Sequence, residues 1–418
     1  MTTSKSSNLT FKIMLGMILG LVVGGTLNAV GTTGWINDYL VTGVFELGGR
    51  VFMASLTVLV VPLVFVSIVC GTASMDDIKK LGRIGTKTMA LYTLTTAVAI
   101  AIAILAALVV SPGAGFNIAM PPSFAGVQAA PPLMEVIANI FPTNPIRAMA
   151  EGEMLQIIVF AVLFGVALSM AGAAGKRISA VFTDLNDVIL KMVMILINFA
   201  PVGVFCLLAK VFSQQGLGAI MPMAKYFFVV LGVLLFHWIV VYGSMLKLLS
   251  GLSPVTFFRK YREVPMFAFS TASSNATLPV NLETVEHKLG VPNSVASFTI
   301  PLGATINMDG TAIMQGVATV FVAQVYQVPL GLTDYLMVIL TATLASIGTA
   351  GVPGVGLVML AMVFKQVNLP VEGIGLIIGV DRLLDMVRTA INVTGDAVVT
   401  LIVAKSENQL DVDTFNRD

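Results

Sequence analysis

A chain of 418 residues that is 57% hydrophobic and 11% charged, with mean hydropathy +0.94, is not a water-soluble globular protein, whose charged share is about a quarter. A formal net charge of +1 argues against a nucleic-acid binder, which needs a basic excess to neutralise phosphates. What is left is a multi-spanning integral membrane protein, read as one domain over residues 1–418.

In chain order, apolar runs near the ~20 residues needed to cross a hydrocarbon core occupy residues 13–30, 44–70, 88–110, 155–171, 188–211 and 226–248. The first follows Lys5 and Lys12 and is long enough to be kept as a span rather than cleaved as a signal. Cys70 and Cys206 lie far apart in apolar segments and read as small buried hydrophobes, not as a disulfide or a thiolate metal site. Residues 112–145 carry seven prolines and no long apolar stretch, and read as an exposed loop. Basic clusters at Lys79, Lys80, Arg83 and Lys87, at Lys176 and Arg177, and at Lys247, Arg259, Lys260 and Arg262 alternate with these spans. They predict a cytoplasmic N-terminus; the expected setting is the cell inner (plasma) membrane, multi-pass, with the C-terminus cytoplasmic as well.

After Arg262 the pattern changes. Residues 264–269 are apolar, but Ser270, Thr271, Ala272, Ser273, Ser274 and Asn275 follow at once, then Pro279, Asn281 and Glu283. Neither arm can cross a bilayer. Farther on, residues 335–344 lead into the run SIGTAGVPGVG at 346–356, and a second apolar arm ends at Phe364. As a helix, residues 335–346 would be about 18 Å long, near half a membrane. Each interrupted segment precedes a full apolar span, at 295–322 and 374–403. The recurrence predicts eight transmembrane helices plus two re-entrant helical hairpins arranged as inverted repeats. Their tips would meet near the midplane, where half-helix ends and unwound backbone bind substrate and ions. Taken singly, the first hairpin also reads as a cytoplasmic amphipathic loop and the second as a Gly-kinked span.

The seventh span is interrupted by Asn307, Asp309, Gly310 and Thr311, with Gly310 expected to loosen the helix and free carbonyls. Oxygen ligands of this kind suit a hard cation; His237 and His287 stand isolated, so zinc or copper is not indicated. A polar packing cluster is the plainer reading, but the Asp309 carboxylate needs a partner and its span holds no cation. On the eighth span, Asp381, Arg382, Asp385, Arg388, Thr389, Asn392 and Asp396 fall within roughly 120° of one helix face. Leu383, Val387, Ala390 and Ile391 lie opposite. The charges on that stripe would together cost on the order of 15 kcal/mol if they faced lipid. The stripe must look into protein, water or ions. Either its ion pairs brace a bundle or it lines a pathway for charged solutes, which the mixture of signs favours.

The motifs STASSNATLP (270–279), NMDGT (307–311), SIGTAGVPG (346–354) and the run at 379–396, in this order and spacing, resemble the dicarboxylate/amino acid:cation symporter family, the glutamate transporter homologues. The resemblance extends from the first span to the last. It implies the glutamate-transporter fold and a homotrimer in membrane lipid, with a static scaffold over about 11–72 and 153–215 and a mobile transport domain over about 84–110 and 221–405. It implies that Arg388 grips a substrate side-chain carboxylate, a task suited to the bidentate guanidinium fork. Asp385 and Thr389 would hold an ammonium, Asn392 and the backbone at Ser274 an α-carboxylate, and Thr311 the distal carboxylate with Gly356 leaving room. Ser273 and Val352 would complete the pocket. L-aspartate or L-glutamate fits such a site.

The family's cation sites fall on Gly303, Asn307, Asn392 and Asp396; on Thr305, Ser346, Ile347 and Thr349; and on Tyr92, Thr95, Thr96, Asn307 and Asp309. Some proton-coupled relatives have an amide where this chain keeps Asp396. The implied coupling ions are therefore co-transported sodium ions, with no organic cofactor and no nucleic-acid partner. A proton-coupled symporter or a C4-dicarboxylate carrier of the same fold is the alternative, and the Asp385 carboxylate argues against the latter. Certain members place an arginine where this chain has Ala272 or Met386; Arg382, one turn before Met386, is expected to serve the same electrostatic purpose. The Gly-rich tip at 348–356 reads as the extracellular gate. No nucleophile with a paired base suggests an enzyme, and a channel would need a continuous pore instead of two occluding hairpins.

Overall fold

The computed structural model describes residues 3–31, 34–73, 78–118, 141–216, 220–346 and 354–417. Ile347, Thr349 and Val352, with most of the Gly-rich tip and most of the Pro-rich stretch, lie outside the described residues. Among the described residues every regular element is helical. Helices satisfy their backbone donors and acceptors within one segment, as a hydrocarbon solvent demands.

Helix α1 (Thr3–Val30) is followed by a π-helical stretch, Ile36–Phe45, and then by α2 (Glu46–Thr57) and α3 (Val60–Ala73). Next come α4 (Ile78–Val110), α5 (Pro145–Glu151), α6 (Met154–Met170), α7 (Gly172–Ile197) and α8 (Ala200–Gln215). Helix α9 (Ile220–Phe236) runs through a π-helical turn, His237–Val241, into α10 (Tyr242–Ser250). The rest are α11 (Pro254–Tyr261), α12 (Glu263–Thr271), α13 (Ser274–His287), α14 (Asn293–Ile306), α15 (Asp309–Val325), α16 (Leu332–Ser346), α17 (Val355–Gln366), α18 (Ile374–Ser406) and α19 (Val412–Asn416).

Phe11–Val30, Arg83–Val110, Ile220–Ser250 and Val371–Ser406 are long and apolar enough to cross a membrane, and shorter apolar helices accompany them. Two expected spans are broken. The run at 44–70 turns at residues 58–59, ahead of Pro62, and that at 188–211 turns at residues 198–199, ahead of Pro201. Proline is tolerated in the first turn of a helix but displaces the carbonyl four residues earlier, so each helix restarts just before its proline.

Packing sorts the helices into two sets. Helix α1 lies along α8, α2 also rests on α8, and α3 packs on α6 and α7. In the other set α4 lies along α15, while α9, α10, α12, α14 and α15 surround α18. The sets meet where α17 touches α2 and α3 and where α18 touches α1 and α8. Helix α18 is buried over most of its length despite its polar stripe, so the charges face protein and escape the lipid penalty.

Both interrupted segments are pairs of short helices. Ala272, left-handed at φ 48°, ends α12, and the Ser273 hydroxyl accepts the Ala276 N–H to cap α13. The arms are 9 and 14 residues in this hairpin and 15 and 12 residues in the pair α16 and α17. All four fall short of the ~20 residues of a full crossing.

Candidate substrate and cation site

The site forms where α14 breaks. Asn307 (φ −89°, ψ 91°) and Met308 (φ −117°, ψ 44°) leave the helix, and α15 restarts at Asp309. The interruption thus precedes Gly310, which is helical and does not cause it. A Cβ on Gly310 would stand 2.6 Å from the Arg388 carbonyl oxygen and 2.8 Å from its Cα. Glycine is there to let α15 touch the backbone of α18. The Gly310 N–H then donates to Asn392 Oδ1 at 2.7 Å.

Arg388 is fully buried on α18. Its Nη1 donates to Asp381 Oδ1 at 2.7 Å and its Nη2 to Asp385 Oδ1 at 2.7 Å. Both acids lie on its own helix face, and both lengths are those of charge-assisted bonds. Arg388 Nε is buried without a hydrogen-bond partner among the described residues. The other Asp385 oxygen, Oδ2, accepts the Gly354 N–H at 3.3 Å and lies 3.5 Å from Arg382 Nη1. Thr389 donates its hydroxyl to the Asp385 carbonyl at 2.8 Å. A Cβ on Gly356 would sit 3.4 Å from Arg388 Nη2 and 3.2 Å from Thr311 Cγ2. Arg388, Asp385, Thr389, Asn392, Thr311 and Gly356 therefore converge. Ser274 is buried beside Ser273 at the turn of the α12–α13 hairpin, which packs on α18.

Next to this pocket lies a cluster of oxygens. Asn307 Nδ2 donates to Asp396 Oδ1 at 2.9 Å and to the Asn392 carbonyl at 3.1 Å. Asn307 Oδ1 and Asp396 Oδ2 are buried and have no hydrogen-bond partner among the described residues. Tyr92 donates its hydroxyl to the Thr299 carbonyl at 3.0 Å, and a Cβ on Gly303 would crowd that hydroxyl at 2.6 Å. Thr96 donates to Asp309 Oδ1 at 2.6 Å, whereas the Thr95 hydroxyl turns back to the Tyr92 carbonyl at 3.0 Å. Thr305 and Ser346 likewise bond backbone, at the Leu302 and Thr343 carbonyls. Unpaired carboxylate and amide oxygens in a dry interior are the donor set of a hard cation.

Sequence reasoning missed the partners of Asp309. Tyr242 donates its hydroxyl to Asp309 Oδ2 at 2.8 Å, and His237 Nε2 lies 3.1 Å from the same oxygen. His237 Nδ1 is buried without a hydrogen-bond partner among the described residues. The two rings meet edge to face, 4.7 Å apart. Both rings sit at a π-helical turn, His237–Val241 running into Tyr242, and such turns are frequent at functional sites. The available signal was the histidine itself, an ionisable residue in the middle of an apolar span.

The helices thus bury Asp381, Asp385 and Arg388 beside oxygens that lack partners among the described residues, an arrangement suited to charged solutes. The chain belongs to the sodium:dicarboxylate symporter family, which matches residues 9–406. It is a family of transporters, not enzymes. The chain is 36% identical to the proton/glutamate-aspartate symporter of Escherichia coli (strain K12), over 97% of this chain and 94% of that protein. It is 33% identical to the proton/sodium-glutamate symport protein of Bacillus caldotenax, over 96% and 95%. A C4-dicarboxylate transport protein of Brucella anthropi is 35% identical, over 87% and 84%.

Proposed function

We propose that the protein is a secondary active symporter that couples uptake of L-aspartate or L-glutamate to inward sodium movement by elevator-type alternating access. The observation that carries this reading is the junction of two features within one packed core. Arg388 is flanked by Asp381 and Asp385, and beside it Asn307 Oδ1 and Asp396 Oδ2 have no hydrogen-bond partner among the described residues. A substrate with two carboxylates and an ammonium answers the first feature: Arg388 takes the distal carboxylate near Thr311 and Gly356, Asp385 and Thr389 the ammonium, and Asn392 with the Ser273–Ser274 turn the α-carboxylate. Sodium answers the second, held by Asn307, Asn392, Asp396 and the Gly303 carbonyl. Asp309, with Tyr92, Thr95, Thr96 and Asn307, forms another cation site, and Thr305 and Ser346 contribute to a third.

The two packing sets support a division into a scaffold over about 11–72 and 153–215 and a moving unit over about 84–110 and 221–405. Large apolar side chains exposed on α1 and α6, such as Phe11, Ile18 and Leu163, would be covered by lipid or by neighbouring copies in a trimer. We place both termini in the cytoplasm.

The test is aspartate binding to the purified protein at fixed pH, with sodium replaced by choline. Sodium should raise aspartate affinity, and aspartate should raise sodium affinity by the same factor. A second reading, coupling to protons, is favoured by the name of the E. coli relative. Aspartate affinity that is the same in choline and in sodium would select it.

A further inference from the structure

We propose that Arg382 determines specificity by standing in for a substrate ammonium at Asp385 while no amino acid is bound. This rests on the acidic-substrate reading above. Arg388 holds Asp381 and Asp385 at 2.7 Å each, whereas Arg382 reaches Asp385 only at 3.5 Å. The Arg388 side chain is 1% exposed and that of Arg382 is 12% exposed. Of the two guanidinium groups on Asp385, Arg382 is thus the looser and the one closer to water. The two arginines also divide the carboxylate: Arg388 takes Oδ1, while Oδ2 is left to Arg382 and the Gly354 N–H.

An ammonium arriving at Asp385 needs Oδ2, and the donor that gives way is the long, less deeply buried one. Arg382 has a flexible stem that lets its head move toward water, whereas the Gly354 donor is a main-chain N–H with no stem of its own. A dicarboxylate without an ammonium brings nothing to replace Arg382. The guanidinium then stays in place and neutralises Asp385, which would otherwise face an incoming dianion. The same side chain therefore opposes amino acids slightly and admits C4-dicarboxylates. Specificity here is a difference between two affinities set partly by what each ligand must displace.

The test is equilibrium binding of aspartate and succinate to wild type, Arg382→Gln and Arg382→Lys at saturating sodium. In Arg382→Gln the ratio of succinate Kd to aspartate Kd should rise at least about fivefold, with the aspartate Kd unchanged or lower. Arg382→Lys keeps a cation and should hold the ratio within about twofold of wild type, which also controls for folding. A ratio in Arg382→Gln that stays put because both ligands weaken equally, or a ratio that falls, overturns the role of Arg382 alone. A wild type that binds neither ligand overturns the acidic-substrate reading and this inference with it.

Discussion

Asn307 and Asp396 share one hydrogen bond, from the amide Nδ2 to Oδ1 at 2.9 Å, and each buries its remaining oxygen without a hydrogen-bond partner among the described residues. A buried unsatisfied acceptor costs about 1–3 kcal/mol, and a carboxylate oxygen more, unless a cation fills the gap. Asp396→Asn should therefore raise the sodium concentration needed for half-maximal aspartate binding by about tenfold or more, the equivalent of about 1.4 kcal/mol. Aspartate affinity at saturating sodium should stay within about threefold of wild type. Without sodium the variant should unfold at a higher temperature, because a buried charge has gone. Sodium titrations of aspartate binding, with thermal unfolding alongside, check both parts.

Arg388→Cys should reduce aspartate and glutamate affinity by more than about a hundredfold, since removing one member of a buried ionic cluster costs about 3–5 kcal/mol. Asp385 and Asn392 keep their places, so small neutral amino acids should become ligands. Competition binding with labelled aspartate and serine reads this. Aspartate affinity within about threefold of wild type would remove Arg388 from the substrate site.

His237→Leu leaves Asp309 Oδ2 with Tyr242 alone. The loss should destabilise the protein by about 1–3 kcal/mol, and His237→Gln, which restores a donor, by less. Thermal unfolding in detergent at fixed sodium ranks the variants, and equal melting temperatures for Leu and Gln would mean that the His237–Asp309 bond contributes nothing.

Glu407, just beyond α18, accepts hydrogen bonds from Arg83 and Lys87 on α4, and these hold its carboxyl below the usual carboxylate range. A depressed folded value means that the contribution is present above the unfolded value of about 4.3 and is lost as pH falls through the folded one. Glu407→Gln should melt below wild type near neutral pH and converge with it in acid. A constant difference across that range would contradict the assignment.

The stripe on α18 was legible because charges in an apolar run have only one energetically acceptable direction, and helical periodicity names the residues that share it. The NMDGT interruption was legible for the same reason, though its position was not. Gly310 looked like the weak point, yet the chain leaves the helix at Asn307 and Met308, whose side chains bond to Asp396 and Asn392 on α18. Pairings across the fold were hidden. His237 meets Asp309 from 72 residues away, and the π-helical turn that begins at His237 lies inside an unbroken apolar run. The breaks before Pro62 and Pro201 carried a visible signal in the prolines, which the continuous apolar runs masked.

The most direct test of coupled transport is uptake of radiolabelled aspartate into proteoliposomes with sodium and proton gradients imposed separately. An inward sodium gradient alone should drive accumulation that saturates with aspartate, and a pH gradient alone in choline should drive none. Accumulation driven by the pH gradient alone and indifferent to sodium would contradict sodium coupling.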